Sequence, residues 1–177
     1  MAVHQNQRVG IFFDVQNIYH SAKNLYNSRV NFQALIRSLV GKRSLIRALA
    51  YVVKSDTALG EESFFEALRK TGLELRIKDL QVYPGGSKKA DWDVGMAVDA
   101  IRMAEALDVV ILITGDGDFV PLIEYLKWGG GKSVEVAAFS RTASARIKEA
   151  TDKFIEIEKI PQVLLKIMSR GQNKTRI

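Results

Sequence analysis

The stretch Val109-Val110-Ile111-Leu112-Ile113-Thr114-Gly115-Asp116-Gly117-Asp118-Phe119-Val120 runs from a continuous apolar segment into two closely spaced carboxylates. Five branched or long apolar residues in succession read as a strand buried on both faces, the kind found in parallel sheets. Gly115 and Gly117 let the chain turn sharply where that strand stops. Phe119, Leu122, Ile123 and Leu126 then recur at helical spacing, so a helix is expected from about Asp118. Open α/β sheets bind ligands in the crevice beyond the carboxyl ends of their strands. Two acids placed there either hold a cation or repel each other, so the stretch implies an acidic, metal-binding pocket.

Working outward, residues 8–13 form a second apolar run, with Asp14 at its tip and Asn17 three residues on. Ile18, Tyr19, Ala22, Leu25 and Tyr26 follow at helical spacing. Asn31 suits an N-cap for a helix carrying Phe32, Leu35, Ile36 and Leu39, which Gly41 stops. Residues 44–53 read as a strand, 61–70 as a helix ended by Gly72, and 73–77 as a strand. The segment 83–89 reads as a flexible basic loop. A helix is expected over 91–107. At about 100° per residue, Asp93 shares its buried stripe with Ala97, Ala100 and Ala104, with Val94 and Ile101 beside them, while Asp99 and Arg102 point away.

Beyond the quoted stretch, residues 128–131 read as a turn, 134–139 as a strand, 144–152 as a short basic helix and 154–157 as an edge strand. Residues 161–168 suit a terminal helix, followed by a basic tail over 169–177. One domain over 8–160 is expected, with a polar tail over 1–7. Strands alternating with helices predict an α/β fold around a mostly parallel sheet.

Composition narrows the chemistry. The 177 residues include no cysteine, which excludes disulfides, thiolate metal sites and cysteine nucleophiles. No apolar run reaches the ~20 residues of a membrane-spanning helix, and residues 1–7 lack a signal-peptide core. No membrane partner is expected, and the cytoplasm is the expected location. A net charge of +6 leans toward polyanionic partners. No phosphate-binding P-loop motif is present, and Ser140 and Ser144 have no histidine–acid partners. The Asp14-Val-Gln order also lacks the second acid of a phosphohydrolase nucleophile pair.

If the first and fourth strands are neighbours, Asp14, Asp93, Asp116 and Asp118 converge. Such a cluster raises its own pKa values unless a cation neutralises it. Oxygen-only ligands suit Mg2+ or Mn2+, which supports metal-assisted hydrolysis. Asn17 could orient water or phosphate. Lys88 and Lys89, on the loop beside the acids, suit a phosphate-backbone contact.

Three motifs carry a resemblance: Asp14-Val-Gln-Asn17, then Lys88-Lys89-Ala-Asp-Trp-Asp93-Val-Gly-Met-Ala-Val-Asp-Ala, then Thr114-Gly-Asp116-Gly-Asp118-Phe119-Val-Pro-Leu. In this order they resemble the NYN domain family, LabA-type subgroup, a PIN-like group. The resemblance runs from about residue 8 to 157. It implies a PIN-like Rossmannoid three-layer sandwich and a Mg2+-dependent ribonuclease acting on RNA. It also implies Asp14, Asn17, Asp93, Asp116 and Asp118 as the site residues. Ala90 stands where the family usually has glycine, and Asp91 is an extra acid that either shares the metal or caps the helix.

Plainer readings stand beside these. Asp14, Asn17 and Asp118 all suit helix caps, Asp116 a turn, and Asp93 the positive end of a helix dipole. Thr114 reads as an ordinary strand threonine, Trp92 as packing rather than a base-stacking platform. Asp99 reads as solvated or interhelical, Asp56 as a loop residue, and His4 and His20 as structural or surface residues. Arg141, Arg146 and Lys148 could extend a binding groove. Tyr125, Trp128 and the segment 163–168 fit either a homodimer interface or core packing. A non-catalytic RNA-binding module of the same fold is the main alternative function, and a phosphohydrolase of small phosphoesters a third.

Overall fold

The computed structural model describes residues 6–54, 61–82, 84, 88–89 and 91–167. His4, Asp56 and the basic tail lie outside them. Six strands build one sheet: Arg8–Asp14 (β1), Ser44–Lys54 (β3), Glu74–Asp79 (β4), Val109–Ile113 (β7), Ser133–Ala138 (β8) and Lys153–Glu156 (β9). Their order is β4-β3-β1-β7-β8-β9, and every pairing in it is parallel. The chain winds outward from β1 in one direction, then returns to β7 and winds outward in the other. β1 and β7 are therefore neighbours, and the order reverses between them.

Both strands are buried along their apolar runs, β7 at all five positions. That requires helices on both faces, and two core clusters supply them. Val15–Tyr26 (α1), Phe32–Val40 (α2) and Glu61–Lys70 (α3) contribute Ile18, Leu35 and Phe65 to the cluster on one face. Asp93–Met103 (α4), Val120–Glu124 (α5) and Ala145–Ala150 (α6) contribute Met96, Ala100, Ile123 and Ile147 to the other. Local signals set the helix ends. Asn31 caps α2 by accepting the Ala34 N–H at 3.1 Å, and Gly41 ends it at φ 58°.

The structure departs from expectation in five places. Residues 161–167 do not form the helix expected over 161–168. Gln162 takes φ 61°, and Leu164–Lys166 (β10) runs antiparallel to Ser28–Val30 (β2). An apolar run this short is ambiguous between helix and strand. Here the Asn31 N–H to Val163 carbonyl bond (2.7 Å) draws it into extended pairing, and residue 168 lies outside the described set. The basic loop is partly a strand, since Gln81–Val82 (β5) pairs antiparallel with Lys88–Lys89 (β6). On α4, Val94 and Ile101 are exposed rather than buried, because the helix meets the sheet through Met96, Ala100 and Ala104. The helix after β7 opens as a 3-10 turn over Gly117–Phe119 and closes as a π turn over Tyr125–Gly129, yet Phe119, Leu122, Ile123 and Leu126 are all buried. Tyr125 and Trp128 are exposed, so core packing does not account for them.

Candidate metal centre

The acids gather at the carboxyl end of β1 and β7, where the strand order reverses. In an α/β sheet this is where a ligand crevice opens. Asp14 ends β1, Asp93 opens α4, and Asp116 and Asp118 lie in the turn after β7. One carboxylate oxygen from each of Asp93, Asp116 and Asp118 lies within 4.8 Å of the other two. Asp14 is not in that trio but adjoins it: its charge acts on Asp93, and that of Asp116 acts on it.

A hydrogen-bond frame holds these side chains. The Asp14 carboxylate accepts the Asn17 N–H at 3.2 Å through Oδ1 and the Thr114 hydroxyl at 3.2 Å through Oδ2. Thr114 Oγ1 in turn accepts the Asp116 N–H at 3.2 Å. Thr114 is completely buried, so its hydroxyl is a fixed link between the two strand-end acids. Asn17 turns its carbonyl oxygen to the Gly115 N–H at 3.0 Å, tying α1 to the acidic turn. Asp116 Oδ1 accepts the Asp118 N–H at 2.9 Å, so Asp116, not Asp118, caps the 3-10 turn. Cap and site readings are thus compatible for Asp14 and Asp116, because one oxygen serves the backbone.

The glycines here act through close approach, not through a left-handed backbone. A Cβ on Gly115 would stand 3.0 Å from the Ala143 Cα, and one on Gly117 would stand 2.8 Å from Ser144 Oγ. The loop after β8 packs directly on the acidic turn, and the Ser144 N–H donates to the Gly115 carbonyl at 2.9 Å.

Electrostatics sets this pocket apart from ordinary surface acids. Burial, then the charges of Asp116, Asp91, Asp14 and Asp118, push the Asp93 carboxyl up to about 6. Burial also raises Asp14, against the hydrogen bonds from Asn17 and Thr114 that lower it. The donor set is all oxygen, clustered and partly solvent-accessible, which suits a hard divalent cation that keeps some of its waters.

Other expected residues take different places. Trp92 is a packing residue: its indole N–H donates to the Val52 carbonyl at 2.9 Å, and its ring lies 5.5 Å from that of Tyr51. Asp99 is neither solvated nor interhelical. It faces the sheet, accepting the Tyr51 hydroxyl at 3.0 Å and pairing with Arg76 at 3.3 Å. Lys148 is committed to Ser140 and to the Phe154 ring. Asp91 is exposed, and its carbonyl accepts Lys78 Nζ at 3.2 Å. Of Lys88 and Lys89 the structure describes the backbone, which pairs antiparallel with Gln81–Val82. Sequence reasoning undervalued Thr114, although its place between strand and acidic turn was a signal. It also missed the Tyr51–Asp99–Arg76 contact, which joins three separate segments.

Fold and site together define a Rossmann-like α/β domain with an acidic crevice at its topological switch point. The chain belongs to the NYN domain family, whose family model matches residues 8–158. NYN domains are generally nucleases, and the three-acid cluster is compatible with that chemistry. The chain is similar to the low amplitude and bright protein LabA of Synechococcus elongatus, at 24% identity over 164 residues covering 86% of this chain and 85% of that protein. It is also similar to the crystal structure of VPA0982 from Vibrio parahaemolyticus, a protein of unknown function. That match has a TM-score of 0.83 and 31% identity, and covers 93% of this chain and 100% of the other.

Proposed function

We propose that this protein is a metal-dependent ribonuclease that hydrolyses RNA phosphodiester bonds in the acidic crevice. The observation that carries the proposal is the meeting of Asp93, Asp116 and Asp118 within 4.8 Å, with Asp14 behind them. Residues distant in sequence meet there at an electrostatic cost that folding does not require.

Asp93, Asp116 and Asp118 would hold Mg2+ or Mn2+, and Asp14, oriented by Asn17 and Thr114, would complete the donor set directly or through water. When bound, such an ion supplies Lewis acidity toward water and toward a phosphodiester oxygen. The chain's own part is orientation. The Asn17 carbonyl is anchored on Gly115, so its NH2 group is held ready to donate to a phosphate oxygen or to the attacking water. Lys88 and Lys89, whose backbone pairs with Gln81–Val82, would hold the RNA backbone. The basic, cysteine-free sequence is in keeping with a cytoplasmic RNA partner.

The test is cleavage of end-labelled RNA in Mg2+ or Mn2+, in EDTA, and by the Asp116→Asn variant. The proposal expects EDTA and the substitution each to cut the rate about a hundredfold or more. Equal rates in all three would end it. Salt-sensitive RNA binding without product, unaffected by Asp116→Asn, would instead identify a non-catalytic binding module.

A further inference from the structure

We propose that Trp92 and Asp99 clamp α4 at two points, fixing its rotation about its own axis and thereby aiming Asp93 at Asp116 and Asp118. The inference rests on the metal-site reading above. Both are positioning residues; neither supplies a ligand.

Trp92 and Asp99 are seven residues apart, which on a helix places them within about 20° of each other and two turns apart along the axis. Asp93 follows about 100° further round. Both clamp residues are held by the same part of the sheet. The Trp92 indole N–H donates to the Val52 carbonyl at 2.9 Å. Asp99 Oδ2 accepts the neighbouring Tyr51 hydroxyl at 3.0 Å and meets Arg76 Nε at 3.3 Å. Tyr51 is buried and in register with Arg76 on β4 and with Asp14 on β1, so the anchor and the strand-end acid share one row of the sheet.

The opposite flank of α4 offers no such hold. Val94, Val98 and Ile101 line it, and all three are exposed, Val94 at 74%. At the sheet contact Met96 is the one large buried side chain, and the small Ala100 and Ala104 beside it add little resistance to rolling. The polar flank adds directional hydrogen bonds to that apolar contact, and these set the rotation. Magnitude makes this matter: a roll of about 20° moves a carboxylate some 5 Å from the axis by about 2 Å. That displacement is as long as a Mg–O bond, about 2 Å. Gly95 completes the device. A Cβ there would stand 2.6 Å from Trp92 Cε3, so glycine lets the indole lie across the first helical turn.

The experiment is Mn2+ titration of the full chain by calorimetry, with thermal unfolding of each variant measured in parallel. Tyr51→Phe removes one hydroxyl and no charge, and Asp99→Asn removes the Arg76 pairing. Both are expected to weaken Mn2+ binding at least fivefold. Gly95→Ala reaches the same defect from the indole side. Alanine raises intrinsic helix propensity, so weakened binding there is not explained by a failing helix. Thr71→Val, which deletes a hydroxyl contact at the far end of α3, controls for mild destabilisation and should bind Mn2+ within twofold of the unaltered protein. Unchanged affinity in Tyr51→Phe and Asp99→Asn, with binding lost in Asp116→Asn, overturns the clamp and leaves the metal site standing. No Mn2+ binding by the unaltered protein overturns the metal site and the clamp with it.

Discussion

The two ends of one parallel sheet treat their carboxylates in opposite ways. At the amino end acids meet cations, two of them through guanidinium groups. Asp108 accepts Arg8 Nε and the Arg8 backbone N–H through Oδ2, and Arg8 NH2 through Oδ1 at 2.8 Å, and these contacts hold its carboxyl down at about 2. Deeper in, Arg43 reaches both oxygens of Glu135 at 2.8 and 3.0 Å. At the carboxyl end acid faces acid, and Asp93 is pushed up to about 6. The backbone architecture is the same at both ends, so the fold does not force the repulsion. A chain that pairs its acids with cations at one end sets acid beside acid, among the described residues, at the other, where a ligand crevice opens. Local destabilisation of this kind is a mark of function.

The largest effect on stability is expected at the compensated end. Both side chains of the Arg43–Glu135 pair are nearly inaccessible, 4% and 6% exposed. Arg43→Met would strand the glutamate as a buried, unpaired charge, at a cost of about 3–5 kcal/mol. Urea unfolding measures it. Adding Glu135→Leu should recover most of the loss, because two apolar groups need no partner. If the single substitution costs under about 1 kcal/mol, the buried pair is not the compensating element described here.

A smaller, opposite effect belongs to the acidic end. The folded-state value of Asp93, about 6, lies above its ordinary 3.8, so the folded chain holds that proton more tightly than the unfolded chain. The stability this proton contributes is therefore fully present below about pH 4 and is lost as pH rises through about 6. A divalent ion removes the repulsion but competes with the proton. The unfolding temperature in Mg2+ minus that in EDTA should thus be near zero at pH 4 and grow by a few degrees toward pH 7. A difference that stays flat with pH would mean that the acids do not share an ion.

How much of this was legible in the sequence depends on the range of the interactions. Continuous apolar runs ending in acids at Phe13–Asp14 and near Ile113–Asp116 identified the parallel strands, because burial on both faces leaves few alternatives. Their order was only supposed until the β1–β7 pairing gave it. Caps such as Asn31 and the stop at Gly41 were equally readable, being local chemistry. Residues 161–168 misled because pairing with β2, more than 130 positions away, decided an ambiguous run. The wheel of α4 placed Asp93 on the inner side but misjudged Val94, Ile101 and Asp99. Periodicity gives relative angles, whereas the strand neighbours Tyr51 and Arg76 fixed the absolute rotation. At the site, type and approximate place were readable. The division of labour was not: that Asp14 spends both oxygens on hydrogen bonds depends on Thr114, a residue that looks ordinary in the strand.

The smallest expected effect closes the comparison. The Arg8–Asp108 contact has ideal two-pronged geometry but stands in solvent, with side chains 46% and 39% exposed, so screening limits its contribution. Asp108 is depressed in the folded state to about 2, below its ordinary 3.8. Its contribution is therefore present above about pH 4 and is lost as pH falls through 2, the opposite direction to Asp93. Asp108→Asn should lower the unfolding temperature by less than about 3 °C at pH 7 and by nothing measurable near pH 2. Mn2+ affinity should be unchanged, since the full length of the strands separates Asp108, at the foot of β7, from Asp116 beyond its tip. A loss of metal binding in Asp108→Asn would show that the two ends of the sheet are coupled, and the contrast between them would have to be replaced by a single charge network.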